Sequence, residues 1–424
     1  MANLFGDFKV RHQRPAASAR EFPAPASEFL LRYRDNGEAL LAEPFKGITA
    51  DGMVAPGLFK VEKTGVSTRP LEDAAEAYLA SLGPEQRARA VFSVDAQEWR
   101  RWSNIHPYVM RHGVCLDAMS PAQRDRALAL LQASLSAQGF GTARGVMKLN
   151  EAIRVITGRN VEYGEWLYWL SIMGTPSHDA PWGWQIDGHH LIVNCFVLGD
   201  QLVMTPMFMG SEPVAIDDGP YAGTRVFEVE ERDGLALVQA LTDDQRAKTV
   251  LGDTLPQEVF TAAFRDNVEL RYQGIPYGEL SSGQQRLLLG LVDTYVGRIR
   301  PGHAAVKKDE VARHLADTHF AWIGGVDQDS VFYYRIHSPV LLVEFDHQRG
   351  IALDNDHPAR THIHTVIRTP NGNDYGRDLL RQHHAQFDHS RADHTHAHAS
   401  RPRPSPAPPA PPSSSTAPTS GHTA

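Results

Sequence analysis

Cysteine is almost missing. Cys115 and Cys195 are the only two in 424 residues, and they stand far apart with no CxxC spacing. That excludes a disulfide framework and a thiolate zinc site, so any metal must be held by nitrogen and oxygen. Long apolar runs are absent as well. No segment reaches the roughly 18 consecutive apolar residues of a membrane span, and the opening MANLFGDFKVRHQRP mixes charge with isolated apolar residues where a secretory signal would be apolar. These absences predict a soluble, cytoplasmic protein with no membrane partner. Positive charge is not in excess: the formal net charge of -8 offers no general attraction to nucleic acid, and no nucleic-acid partner is expected. There is no GxGxxG after a strand, no GxxxxGK[ST], no GxSxG and no HExxH, which removes the ready nucleotide, serine-hydrolase and zincin assignments.

What remains is a globular composition, 42% hydrophobic and 22% charged, on a chain long enough for one or two cores. Residues 1–43 read as an N-terminal extension, Arg/Pro/Ala-rich at first, with a short helix starting after Ser27. Residues 44–387 read as one large domain. Residues 388–424, HSRADHTHAHASRPRPSPAPPAPP and onward, cannot bury enough apolar surface to offset their ordering entropy and are expected to be disordered. His389, His394, His396 and His398 in that tail would bind metal only adventitiously.

One local pattern recurs at uneven intervals: LGPEQRARAVF, MSPAQRDRALALLQASL, LTDDQRAKTVL and LSSGQQRLLLGLVDTYV. In three of the four a Ser or Thr precedes a Gln by three residues, the capping box of an amphipathic helix. The uneven spacing excludes a solenoid and is read as shared capping physics, not as a repeat. Strand signals lie at Trp182–Leu198, a long arm turning at Gly199-Asp200 into QLVMTPMF, then at THFAWIGG, VFYYRI, Val340–Phe345 and His362–Arg368. Helices mixed with antiparallel strands, without regular βαβ alternation, predict an α+β fold with helices packed on antiparallel sheet.

Chemistry-bearing side chains gather on these strands. Period-two alternation puts Glu344 and Asp346 on one strand face and His362 with His364 on another. A buried carboxylate needs a partner or a metal, so these four form a candidate His/carboxylate metal set for zinc, manganese, iron or copper. The competing reading pairs Glu344 and Asp346 with Arg335 and Arg368. In WGWQIDGHHLIVN, alternation separates His189, with Asp187, from His190, with Ile192 and Asn194; one of the two completes the site or serves as general base, and the other is structural. Arg335 and Arg368 are candidates to orient an anionic group.

Taken together, WGWQIDGHHL, MTPMFMGSEPV, THFAWIGG, FYYRIHSPVLLVEFDHQ and HIHTVIRTPNGNDYGRDLLRQHH resemble the domain of unknown function 3500 family, from about Phe45 to about His384. The resemblance implies no catalytic assignment. The residues themselves point to a metal-dependent enzyme, a hydrolase by preference, acting on a small polar or anionic molecule. A nonhaem iron or copper oxidoreductase, and a metal-free ligand-binding or acid/base protein, remain open. Deleting residues 391–424 is expected to leave the cooperative thermal transition unchanged, which calorimetry checks.

Overall fold

The computed structural model describes residues 28–105 and 111–386; the tail lies outside them. In chain order the elements are α1 (Glu28–Ala42), α2 (Arg69–Ser81), α3 (Pro84–Ala90), β1 (Val91–Phe92), β2 (Val114–Cys115), α4 (Pro121–Ser134) and α5 (Ala137–Thr157). The central strands follow: β3 (Tyr168–Met173), β4 (Trp182–Gly188), β5 (Leu191–Leu198), β6 (Gln201–Val203) and β7 (Met207–Ser211). Next come α6 (Glu228–Gln239), α7 (Asp243–Thr249), β8 (Ile275–Pro276), α8 (Ser282–Val296) and α9 (Pro301–Ala312). The chain closes with β9 (His319–Gly324), β10 (Phe332–His337), β11 (Leu342–Arg349), β12 (Pro358–Arg368) and α10 (Arg377–Gln386). All twelve strands join one sheet, ordered β1-β3-β4-β5-β7-β12-β11-β10-β9-β8, with β2 on β3 and β6 on β5. The pairing is antiparallel except β1 on β3, so the fold is α+β. No helix among the described residues is long and apolar enough to cross a membrane.

Helices cover one face of the sheet: Trp184 Nε1 donates to Ser134 of α4, and Tyr334 meets Tyr295 of α8. Irregular chain covers the other. Gln185 donates to the Trp99 carbonyl and Glu344 accepts from the Phe260 and Thr261 amides. Because both faces are covered, β4 and β5 are buried at every position, and their polar residues must pair internally. Gln185 thus donates to Asn194 at 2.6 Å, and Asn194 to the Pro206 carbonyl at 2.9 Å.

The capping boxes form as read: the Ser120, Thr242 and Ser281 side chains accept from the Gln123, Gln245 and Gln284 amides, and each glutamine side chain returns to its cap. Each such cap is worth about 1 kcal/mol. The glutamines then do more. Gln123 donates to Gln86 at 2.8 Å and Gln284 to Gln245 at 2.7 Å, so α3 and α4 are clipped together as α7 and α8 are.

That correspondence corrects the reading of the repeated pattern. The unit α3-β2-α4-α5-β3-β4-β5 recurs as α7-β8-α8-α9-β9-β10-β11, and its pairings recur with it. Val91 beside Ile172 returns as Val250 beside Trp322, Val114 beside Leu170 as Ile275 beside Phe320, and Gln185 opposite Asn194 as Arg335 opposite Glu344. The fold is an internal duplication whose halves meet between β7 and β12, where Thr205 and Thr369 join hydroxyl to hydroxyl at 2.7 Å. It escaped the sequence because the capped helices come in two pairs, Gly83 with Ser120 and Thr242 with Ser281, set far apart, so that no single short period runs through all four.

Two further boundaries differ. The arm Trp182–Leu198 is a hairpin of its own, because His190 adopts φ +62° and reverses the chain. QLVMTPMF splits into β6 and β7 at Thr205-Pro206. The helix expected after Ser27 is α1.

His337 shows the energetic risk of this burial. It is 1% exposed with neither ring nitrogen partnered, and burial, then the charges of Arg335 and His319, push its pKa down to about 3. An imidazole neutral in the fold but protonating near 6.5 when unfolded contributes stability above pH 6.5 and loses it as pH falls towards 3. Between pH 7 and 5 the protein should lose about 1–2 kcal/mol from this group. His337→Phe should flatten that part of the acid slope in urea melts at the two pH values.

Candidate functional site

His190, His362 and His364 converge on the face covered by irregular chain. Their Nε2 atoms form a triangle with sides of 3.0 Å (His362 to His364), 3.0 Å (His364 to His190) and 3.3 Å (His362 to His190). All three are buried. His362 and His364 lie two apart on β12, so the alternation of a strand puts them on one face. His190 arrives from β5's leading turn: its left-handed backbone, uncommon for a residue with a side chain, is held by its own amide on the Asn104 carbonyl and by the Gly210 amide on its carbonyl.

The outer nitrogens are fixed too. His362 Nδ1 donates to the Arg349 carbonyl at 2.7 Å, reached because a bulge at His347/Gln348 shifts the register of β11 on β12. His364 Nδ1 lies 2.7 Å from Glu258 Oε1. Burial pushes the Glu258 carboxyl up, but the His364 imidazole, the Val259 amide and the Asn104 side chain outweigh it and hold the group below its ordinary value. Burial also pulls the His362 pKa down to about 4, so its ring is neutral at physiological pH. Since a carbonyl only accepts, the neutral His362 carries its proton on Nδ1 and presents a lone pair at Nε2.

The other expected residues are placed as follows. Asp346 sits beside His364 across the strand pair and joins Glu258 and His364 in a second cluster of donors; burial, then the nearby Glu258 charge, raises its pKa well above the usual value. Glu344 points the same way but is consumed elsewhere. It accepts from the Phe260 and Thr261 amides, the Thr261 hydroxyl and Tyr333, and does not join the imidazoles. Arg335 lies opposite Glu344 and donates to Gln273. Arg368 donates to Asp374, Asp266 and the Thr261 carbonyl. Neither guanidinium pairs with Glu344 or Asp346: Arg368 forms its ion pairs with Asp266 and Asp374, and Arg335 bonds the neutral Gln273 side chain. His189 stacks on His190, ring centroids 3.9 Å apart, while its Nδ1 meets Asn150 at 2.8 Å.

Sequence reasoning missed Glu258, which lies in LPQEVFTAAF, a stretch without periodicity or motif. It gave Glu212 no role; that carboxylate accepts from the Ile351, Ala352 and Leu353 amides and stands 3.9 Å from His362 Nδ1. The duplication marks out His190: the ungapped match of Trp182–Val197 with Phe332–His347, paired in the same register, sets Val340 against it.

The family described as Protein of unknown function (DUF3500) matches residues 64–377. The chain belongs to this family. No curated protein and no solved structure matches. Within the matched span lie all three imidazoles, Glu258 and Asp346.

Gly210, cross-strand neighbour of His364, makes the convergence possible. A Cβ there would stand 2.8 Å from His364 Cδ2 and 3.3 Å from His190 Cδ2, and 2.7 Å from the Ile363 carbonyl oxygen. Gly210→Ala should destabilise the fold by about 1–3 kcal/mol through overpacking and splay the two imidazoles. Thermal denaturation together with the crystal structure of the variant checks both.

Proposed function

We propose that the protein is a metal-dependent hydrolase of small polar molecules, with His190, His362 and His364 as the ligands of one divalent ion. The observation that carries this reading is the contact between His362 Nε2 and His364 Nε2 at 3.0 Å. Both rings give their Nδ1 side to acceptors, Arg349 and Glu258. With both rings neutral, two lone pairs face each other in a buried space, and a hydrogen bond cannot form between them. His190 can donate to one of the two at most. A cation satisfies all three nitrogens together. An ion about 2.0–2.1 Å from each nitrogen, the usual zinc distance, would sit about 1 Å above their plane with angles of about 90–110° and an open side.

The chemistry follows from the ligand types. Three neutral imidazoles leave the full charge on the ion, which when bound supplies Lewis acidity and acidifies a coordinated water. Glu258, with its hydrogen bond to His364, orients the ring and raises its basicity. A two-His, one-carboxylate set would have favoured nonhaem iron oxygen chemistry, but the nearest carboxylate lies on the outer nitrogen of His364. The hydrolytic reading is therefore preferred over the oxidoreductase. A proton on His364 Nε2, making an imidazolium beside Glu258, would also fill the gap between the rings and is the metal-free acid/base alternative.

The test is metal content of full-length protein in which His389, His394, His396 and His398 are replaced by Gln, so that the tail does not scavenge. It should retain zinc, manganese or iron through gel filtration. His362→Ala should abolish uptake at equimolar metal, Glu258→Gln should weaken it about 10–100-fold, and His189→Ala should retain it. A folded parent that binds none of these ions removes the metalloenzyme reading and leaves the acid/base one.

A further inference from the structure

The three-histidine triangle accounts for one side of His364 only. One ligand atom from each of Glu258, Asp346 and His364 also lies within 4.8 Å of the others, and Glu258 meets His364 at its outer nitrogen, Nδ1, at 2.7 Å. Asp346 is fully buried: its Oδ2 accepts from Gln348 Nε2 at 2.5 Å, and its Oδ1 has no hydrogen-bond partner. A buried carboxyl oxygen left unpartnered costs about 1–3 kcal/mol, so the cluster lacks one positively polarised group. The surroundings do not provide it. Arg335 donates to Gln273, and Arg368 to Asp266 and Asp374.

We infer that Glu258, Asp346 and the Nδ1 of His364 form a second divalent-cation site, joined to the first through the His364 ring. The inference rests on the reading of the first site, since it makes His364 a bridging ligand. The donor set, one imidazole nitrogen and two carboxylates, suits zinc, manganese or iron(II) better than copper(I). Geometry ranks the two sites. Ligands of one ion at about 2.0–2.2 Å stand at most about 4.4 Å apart; the triangle meets this with sides of 3.0–3.3 Å, whereas the second cluster must first give up the hydrogen bond between His364 Nδ1 and Glu258. The second site therefore fills after the first and more weakly. Binding there would release the His364 Nδ1 proton to solvent and leave the ring as an imidazolate between the two ions. Glu258 then changes from hydrogen-bond acceptor to ligand, and the two ions are held a ring's width apart, too far to share one water.

The experiment is a zinc titration of the full-length chain carrying the four tail His→Gln substitutions, read by calorimetry and by metal analysis after gel filtration. Two ions per chain are expected, the second weaker by at least tenfold. Asp346→Asn, which keeps the shape and removes the charge, should bind one ion at the affinity of the first. Where Asp346→Asn does not fold, as judged by circular dichroism, Glu258→Gln serves, and should lose the second ion while weakening the first. One ion in the parent, or two in a folded Asp346→Asn, overturns the second site and leaves the first standing. No ion in the parent overturns the three-histidine reading itself.

Discussion

Asp266 is the fixed point from which the site-bearing face is built. One oxygen accepts from Arg368 Nη2 at 2.7 Å and from the Tyr375 hydroxyl at 2.9 Å, the other from Arg100 Nε at 2.8 Å. Arg368 belongs to the central strand β12, Arg100 to the segment that leads to Asn104, and Arg100 reaches on to the Leu41 and Glu43 carbonyls at the end of α1. A single buried carboxylate thus ties four distant parts of the chain to the middle of the sheet. Removing one partner of such a buried group costs about 3–5 kcal/mol, more than the caps at any one helix. Asp266 does not hold the irregular cover alone: the Glu344 carboxylate under the Phe260 and Thr261 amides and the Asn104 carbonyl under the His190 amide hold it too.

The duplication explains where the chemistry sits and where it does not. Both halves build the same hairpin, with a polar cross-strand pair at the same register: Gln185 with Asn194 in one, Arg335 with Glu344 in the other. In the first half that pair is neutral and the turn carries His190; in the second its members are charged and bond apart, Arg335 to Gln273 and Glu344 to Phe260, Thr261 and Tyr333, and the equivalent position is Val340. The imidazoles of β12 lie nearer the first turn than the second because β12 crosses the junction between the halves, pairing with β7 on one side and β11 on the other. One shared architecture therefore carries a single set of three imidazoles. The second half uses the same surface for these charged groups and for the buried His337.

Much of this was legible in the sequence, and the reasons for the rest are physical. The caps at Ser120, Thr242 and Ser281 could be read because a cap is local, satisfied within four residues. His362 and His364 could be paired because strand alternation is local too. Glu344 and Asp346 were equally well placed on one face, but alternation says nothing of what lies above that face, and the cover brings amides to Glu344 and Glu258 to His364. Assigning Glu344 to a metal failed on that account. His190 was put on a strand because its neighbours are apolar, whereas its left-handed backbone depends on contacts with Asn104 and Gly210, remote in sequence. Glu258 carried no local signal at all.

The most consequential remote contact is the smallest. A bulge of β11 at His347/Gln348 aims the Arg349 carbonyl at His362 Nδ1, and a carbonyl oxygen differs from a carboxylate in one decisive respect: it cannot bring a proton of its own. Glu258, facing His364, is a carboxylate whose hydrogen bond to Nδ1–H pushes electron density into the ring and makes Nε2 more basic. One ring is therefore locked as a neutral donor of its lone pair, and the other is made more basic. Ligand direction at His362 follows from sheet register, ligand strength at His364 from an acid on the cover. Gly210 leaves the two rings room to face each other. The three imidazoles thus owe their direction, basicity and closeness to three separate features, and a change in any one of them alters the site without touching a nitrogen.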